Sequence, residues 1–326
     1  MQKKMIYIVL GIFTTLLILS SINISQGAIY NSTFNQQNNQ ENKALTLFNI
    51  KTPLPEVPQK IMIYNTVDPD ITTQDIHKYM DLFKLQGDIN NRQRNIIVQE
   101  GEKELEVFIQ PGTGYLRYSY YEKFESGKEA KNLPLESEAI KMAESFWENS
   151  GLLPENTFLI GIGYCEFERT NAFGNLISKG KTAISVKYGF TIDGIPAIGA
   201  GAKAGVVFGD NGELVMVYKF WREIEPDRKV DIITPEEALD NFKLQCSLMA
   251  QKNENLKDKN LQIDIVVNEI YLAYQTEPGC EPQTRIEPIY VFSGNAHVNS
   301  YEGEQTNEDC AECSNNFQIF IPAISE

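Results

Sequence analysis

Histidine is almost absent from this chain of 326 residues, and this scarcity restricts the catalytic chemistry open to it. Only His77 and His297 occur, so a Ser-His-Asp or Cys-His device would have to use one of them. The sequence also lacks an H-E-x-x-H motif, a G-x-S-x-G elbow, and a G-x-G-x-x-G loop following a strand. These absences argue against a metalloprotease, an elbow-type hydrolase and a dinucleotide-binding enzyme. We therefore predict no catalytic activity, no metal and no cofactor.

Positive charge is also in short supply, and this limits the class of partner. The chain has 29 lysines and arginines against 44 aspartates and glutamates, which gives a formal net charge of −15. A surface this acidic repels phosphate backbones, so nucleic acid is excluded as a partner. Tight electrostatic docking on anionic lipid is disfavoured for the same reason.

Residues 1–28 have the features of an export signal. Lys3 and Lys4 precede an uncharged, mostly apolar run over residues 5–24, and Ser-Gln-Gly-Ala follows at 25–28. A cleaved signal peptide has this pattern, but the run is also long enough for a transmembrane helix. Both alternatives predict an extracytoplasmic protein, either secreted after cleavage or anchored in the membrane by its N-terminal helix.

The remaining chain is predicted to be a tether followed by three modules. Residues 29–58 combine a polar, low-complexity run with Pro53, Pro55 and Pro58, a composition typical of a tether. Helix-capping patterns precede amphipathic segments near residues 73, 136 and 235, and each segment is followed by alternating strands. The pattern predicts an α+β fold of repeated helix-over-antiparallel-sheet units at 59–132, 133–229 and 230–326.

Residues 134–324 carry turn and helix-start motifs that are similar to those of a known kind of exported protein. The motifs are ESEAI at 136–140, YGF at 188–190 with DGIP at 193–196, GDNGEL at 209–214, TPEEAL at 234–239, IEPIYVFSG at 286–294 and FIPA at 320–323. This span resembles tandem PepSY-like modules. Such modules occur in protease propeptides and in membrane-anchored regulators of the YycH/YycI type, which act on a cell-wall sensor kinase from outside. The resemblance implies a non-catalytic regulatory role and supplies no catalytic residue.

The five cysteines fall into two groups. Cys165 and Cys246 lie in a predicted strand and helix, where single cysteines are usually buried apolar residues. Cys280, Cys310 and Cys313 lie in polar loops, and loop cysteines outside the cytoplasm tend to oxidise. A local Cys310–Cys313 disulfide is the favoured prediction. A zinc site that adds His297 and Cys280, a redox-active pair and free thiols remain alternatives.

Aromatic residues suggest where a partner would bind. Trp221 and Arg222 with Glu223 and Glu225 form one mixed cluster, and Tyr118, Tyr120 and Tyr121 form another. An exposed aromatic face would suit a peptide or glycan, whereas alternate aromatics in a strand can equally face the core. Our main hypothesis is a non-catalytic extracytoplasmic protein that binds a protein or cell-envelope partner through an open sheet face or an edge strand. The alternatives are a metal-assisted or hydrolytic enzyme centred on His297, Cys310 and Cys313, and a structural surface protein.

Overall fold

The computed structural model describes residues 45–124, 128–154, 156–252, 261–300 and 315–324. By contact density the chain divides into two compact units. The described part of the first unit comprises Lys60–Val230 and Ala273–Pro288, and the second unit contains the described residues of 14–59, 231–272 and 289–326. The three modules predicted at 59–132, 133–229 and 230–326 follow a different division and remain a prediction.

The helices and strands of the described residues are, in chain order, β1 (Leu45–Ile50), β2 (Lys60–Thr66), α1 (Thr73–Phe83), β3 (Asp88–Asn91), β4 (Asn95–Glu100), β5 (Lys103–Phe108), β6 (Tyr115–Tyr120), α2 (Tyr121–Phe124), α3 (Glu136–Ser150), β7 (Thr157–Thr170), β8 (Leu176–Ile192), β9 (Ile195–Gly199), β10 (Lys203–Phe208), β11 (Leu214–Phe220), β12 (Ile224–Asp231), α4 (Pro235–Lys252), β13 (Leu261–Thr276), β14 (Arg285–Ile286), β15 (Pro288–Ser300) and β16 (Asn315–Pro322).

The first unit is built around a large mixed sheet. Its strands lie in the order β9-β8-β10-β11-β6-β5-β4-β3, and β7 pairs with β8. Neighbouring strands in this series are antiparallel. The last residues of β13 add a parallel strand, in which Tyr274 pairs with Ala197 of β9. A separate sheet has the order β12-β2-β14.

One face of the large sheet is the core of the first unit, where α1 and α3 pack. The ring of Phe83 at the end of α1 stacks on Tyr118 of β6 at a centroid distance of 4.5 Å. Trp147 of α3 meets Tyr188 of β8 edge to face at 6.3 Å. These side chains are buried, because alternate residues of each strand point to this face.

Local sequence signals explain where the helices begin and end. Thr72 accepts a hydrogen bond from the Asp75 backbone N–H at 3.2 Å, and the Asp75 carboxylate accepts one from the Thr72 backbone N–H at 3.1 Å. This reciprocal pair is the capping box that the sequence predicted for α1. At the end of α3, Gly151 adopts φ 63° and donates its N–H to the Trp147 carbonyl. A residue in this left-handed conformation ends many helices.

The second unit packs α4 against strands β1, β13, β15 and β16. Strands β13, β15 and β16 are neighbours in that order. β1 runs parallel to β13, with Leu45 opposite Gln262. Phe242 of α4 stacks on Phe292 at 4.5 Å and contacts Phe48 edge to face at 6.0 Å, which places the core of this unit under α4.

The prediction of repeated helix-over-antiparallel-sheet units is wrong. The structure is mostly β, with a large mixed sheet and few helices in the described residues. Strands from different predicted modules pair directly, since β6 of the first predicted module lies against β11 of the second. Likewise β2 of the first pairs with β14 of the third. Long-range backbone pairing of this kind is not encoded in local periodicity, which is the reason for the error.

Two further features bear on the N-terminal predictions. β1 lies within the stretch predicted to be a tether. The strand pairs with β13, and alternate residues of Leu45–Ile50 are half-buried. Among the described residues, no helix has the length and hydropathy needed to cross a bilayer. The segment at 1–28 that we predicted to be a signal or an anchor lies outside the described residues.

Candidate binding face

The second face of the large sheet lies opposite α1 and α3, and we call it the open face. It is defined here by Glu104, Glu106, Tyr115, Arg117, Lys187, Lys203, Tyr218 and Phe220. All eight are half-buried. No helix of at least eight residues among the described residues contributes a ring contact to it, whereas α1 and α3 do so on the other face.

Strand register arranges the open face in rows that run across the sheet. The middle row follows the strand pairings from Gly161 to Lys187, Gly205, Tyr218, Arg117 and Glu106. Residues directly opposite one another in adjacent strands share a face. Six strands therefore contribute one residue each to a continuous line in which aromatic and charged side chains meet a region of glycine.

An aromatic and ionic cluster occupies one side of the open face. The rings of Tyr115 and Phe220 stack at 4.5 Å, and the guanidinium carbon of Arg117 lies 5.9 Å from the Tyr115 ring centroid. Arg117 also pairs with Glu104 at 3.1 Å and with Glu106 at 3.2 Å. Because two carboxylates face one guanidinium, the positive charge of Arg117 is compensated within the cluster.

Four glycines lie on the opposite side of the face, and we call Gly161, Gly163, Gly189 and Gly205 the glycine floor. The ring of Tyr218 lies directly on Gly205, where a Cβ would come within 2.4 Å of the Tyr218 hydroxyl oxygen. The Lys187 ammonium lies over Gly163, where a Cβ would come within 2.9 Å of Nζ. A Cβ on Gly161 would meet nothing within 4 Å, so this part of the floor is bare backbone.

The edge strand β7 borders the glycine floor with exposed apolar side chains. Phe158, Leu159 and Ile160 are 43%, 44% and 59% exposed. Phe158 and Ile160 lie over Gly189, within 2.7 and 3.1 Å of the position that its Cβ would take. Among the described strands, β7 has one neighbour, β8. Three consecutive exposed apolar residues on such an edge strand are a feature of strands that bind other chains.

Burial controls the electrostatics of the lysines on this face. Burial lowers the pKa of Lys203, and the positive charge of Lys187 lowers it further. Lys187 has no carboxylate of the described residues within ion-pair distance. The two ammonium groups therefore repel each other on a half-buried surface, and an incoming anion would relieve this repulsion.

A thiol and a phenol near Lys187 are held in their neutral forms. Burial raises the pKa of Cys165 to about 11, although the Lys187 charge acts in the opposite direction. Burial also raises the pKa of Tyr218 to about 12. A neutral thiol is a weak nucleophile, so the groups of this face are suited to holding a ligand by contact, hydrogen bonds and charge.

The aromatic residues singled out from sequence divide between core and surface. Tyr118 and Trp221 are buried, and Trp221 stacks on Phe190 at 4.3 Å. Tyr121 instead reaches the open face, where its hydroxyl donates to Glu104 at 3.0 Å. The exposed-face interpretation is thus wrong for Tyr118 and Trp221. From the sequence, the open-face residues of β6 and β11 could be recognised only as residues at alternate positions of these strands.

Arg222 is fully buried rather than part of a binding cluster. Its guanidinium donates to the backbone carbonyls of Gly112, Glu277, Pro278 and Glu281 at 2.5–2.8 Å. Burial lowers its pKa. It is a structural residue that joins the turn before β6 to the loop after β13, while Glu223 and Glu225 are exposed.

The proposed metal and thiol residues do not form a site in the described part of the chain. His77 is exposed on α1, and His297 lies in β15. Cys280 is a half-buried free thiol in the first unit. Within the described ranges, no group of three histidine, cysteine or carboxylate residues could hold a metal ion. Cys310 and Cys313 lie outside the described residues, so their disulfide remains a prediction.

Comparison with known proteins gives similarity to solved structures but no family. No family model and no curated protein match the chain. An uncharacterized protein from Eubacterium rectale is similar with a TM-score of 0.46 and 9% identity, over 84% of this chain and 87% of that one. YycH from Bacillus subtilis is similar with a TM-score of 0.35 and 11% identity, over 74% of this chain and 52% of that one. At these values neither similarity establishes a shared fold or function, and the PepSY-like modules have no matching family model.

Proposed function

We propose that this chain is a non-catalytic, extracytoplasmic protein that binds a protein partner through the open face. The observation that supports the proposal is the face itself. A broad set of aromatic and charged side chains lies in register across five strands, on the side of the sheet opposite α1 and α3. A position outside the cytoplasm is part of the proposal, supported by the charge pattern and apolar run of residues 1–28. A regulatory role is also part of the proposal and follows the resemblance of residues 134–324 to PepSY-like modules of membrane-anchored regulators.

Protein interfaces favour the residue types that this face presents. Tyrosine, phenylalanine and arginine are enriched at interfaces, since each supplies a large contact area with few rotatable bonds or several donors. Tyr115, Phe220 and Arg117 are already fixed by stacking and ion pairs. These side chains would therefore lose little conformational entropy when a partner binds.

The test compares retention of envelope proteins by matched variants of the exported part of the chain. Tyr115→Ser together with Phe220→Ser removes the stacked pair from the open face. Phe173→Ser is the control, because Phe173 is 89% exposed in the turn between β7 and β8 and lies outside the open face. Equal thermal melts would show that both variants are folded.

The expected result is a protein that the wild type and the Phe173→Ser control retain from a detergent-solubilised envelope extract and that the double variant loses. Retention of no protein by the wild type would count against the proposal. Retention that is the same for all three chains would also contradict it, because the partner would then bind elsewhere.

A further inference from the structure

Resting on this proposed function, we infer that the glycine floor and Lys187 form the docking site for an extended acidic segment of the partner protein, with a partner carboxylate bound to the Lys187 ammonium and apolar partner side chains on Phe158 and Ile160. The inference specifies the chemistry of the partner, which the open face alone does not.

Gly161 leaves the backbone of β7 uncovered beside Lys187. Glycine inside a strand loses packing and conformational entropy, so its presence often marks a place where a ligand or another chain approaches closely. Gly161 and Gly163 lie on β7 and Gly205 lies on β10, the two strands that flank Lys187 of β8. Above Gly161 there is open space. A segment that passes over Gly161 can reach the sheet more closely there than it could over an ordinary side chain.

The second step is the charge on the floor. The chain as a whole is strongly acidic, at −15, yet Lys187 has no carboxylate of the described residues within ion-pair distance. Lys203 lies on the same face, two residues along β10 from the position opposite Lys187. Arg117 is compensated by Glu104 and Glu106. Lys187 is therefore a cationic group of the floor to which a carboxylate of the partner is complementary.

The third step is the apolar border. Phe158 and Ile160 contact Gly189 on the same face and are about half exposed. In an extended segment, residues i and i+2 point to the same side. A partner sequence that alternates acidic and apolar residues on one side would place a carboxylate on Lys187 and an apolar group on this border.

The electrostatics of the lysines agree with this arrangement. Burial and the Lys187 charge lower the pKa of Lys203, which shows that the two ammonium groups interact. A carboxylate bound between them would offset both the repulsion and the lost hydration. Polymeric phosphate shares the negative charge but supplies no apolar groups for Phe158 and Ile160, so the apolar border favours a protein segment.

The test uses two fluorescein-labelled peptides of eight residues with serine at the even positions. The odd positions, which share one side of an extended chain, alternate glutamate with valine in one peptide and glutamine with valine in the other. Fluorescence anisotropy with the exported chain would measure their affinities at low salt, where the charge interaction is least screened. We expect the glutamate peptide to bind about tenfold more tightly, the effect of one charge-assisted contact of modest strength. Lys187→Gln should abolish that preference, and Lys187→Arg should retain most of it.

Lys179→Gln is the matched control, because Lys179 is an exposed lysine of the same strand and the change in net charge is identical. The inference is overturned if the two peptides bind equally, if Lys179→Gln loses the preference as fully as Lys187→Gln, or if a polyphosphate probe binds more tightly than the glutamate peptide. If the envelope partner is lost with the Tyr115/Phe220 variant but not with Lys187→Gln, this inference fails while the proposed function stands.

Discussion

Arg222 provides the most direct test of how the first unit is held together. Its buried guanidinium donates to four backbone carbonyls, in the turn at Gly112 and in the loop from Glu277 to Glu281. We consider Arg222→Met, which has a similar length and no donors. Methionine would fill part of the space, so the variant isolates the loss of the hydrogen bonds from the loss of packing.

The magnitude follows from the acceptors that are left behind. Gly112 also accepts from the Gln283 backbone N–H at 2.9 Å, and Pro278 accepts from the Glu281 N–H at 2.8 Å. The carbonyls of Glu277 and Glu281 keep no such backbone donor among the described residues. An unsatisfied, partly buried acceptor costs about 1–3 kcal/mol. Glu277 and Glu281 are exposed, so water partly replaces the lost donors. We therefore expect the free energy of unfolding to fall by about 3 kcal/mol in total.

The assay is thermal and urea unfolding of the chain without residues 1–28. A loss of about 3 kcal/mol lowers the melting temperature of a unit of this size by roughly 6–12 °C. Reactivity of Cys280 toward a thiol reagent is a local second readout, since Cys280 lies in the loop that Arg222 holds. Arg222→Met should make this half-buried thiol react faster.

Arg228→Met is the control, because Arg228 is 57% exposed and pairs only with its exposed neighbour Asp227 in the described structure. Such a change is expected to stay within about 0.5 kcal/mol. If Arg222→Met melts within about 2 °C of the wild type and leaves Cys280 no more reactive, the four hydrogen bonds do not hold the loop, and our reasoning is refuted.

Three further predictions concern other parts of the chain. Intact mass before and after reduction and alkylation should show one disulfide, mapped to Cys310–Cys313; free thiols at both positions would disprove it. The Tyr188 hydroxyl is buried without a hydrogen-bond partner in the described structure, so Tyr188→Phe should be neutral or stabilise by about 1 kcal/mol in urea unfolding at pH 7; a loss above 1 kcal/mol would contradict this. Burial raises the pKa of Tyr188 to about 12 from 10, so wild-type stability should fall between pH 10 and 12 by up to about 1.4 kcal/mol per pH unit for this group, and Tyr188→Phe should fall less steeply. Thr72→Ala removes the acceptor for the Asp75 N–H and should cost about 1 kcal/mol, whereas an unchanged urea midpoint would show that the cap contributes nothing.

Local signals in the sequence were sufficient for the helices and for most strand positions. Thr72 with Asp75 and the glycine at 151 mark helix ends because a cap is satisfied by residues three or four positions away. β1 was missed because its six residues follow a polar run and gain their burial from pairing with β13 and from contact with α4. Such a strand is stabilised by contacts with residues that are distant in the sequence.

The open face shows the same limit for the candidate site. Tyr118 and Tyr115 are both aromatic residues of β6, yet one is buried under α1 and the other lies on the open face. Alternation along a strand separates them into two sets, but it does not state which set meets a helix. Nor does the spacing of Lys187 and Gly163 in sequence indicate that one lies over the other.

The sequence by itself therefore determined the acidic charge, the export pattern at residues 1–28, the helix caps and the alternation of the strands. These depend on composition or on contacts between residues close in the chain. Only the tertiary structure decided that β6 pairs with β11, that the helices cover one face, and that glycines from three strands meet around Lys187. The physical reason is that strand partners are selected by the burial of whole faces, a property of the assembled sheet rather than of any segment within it.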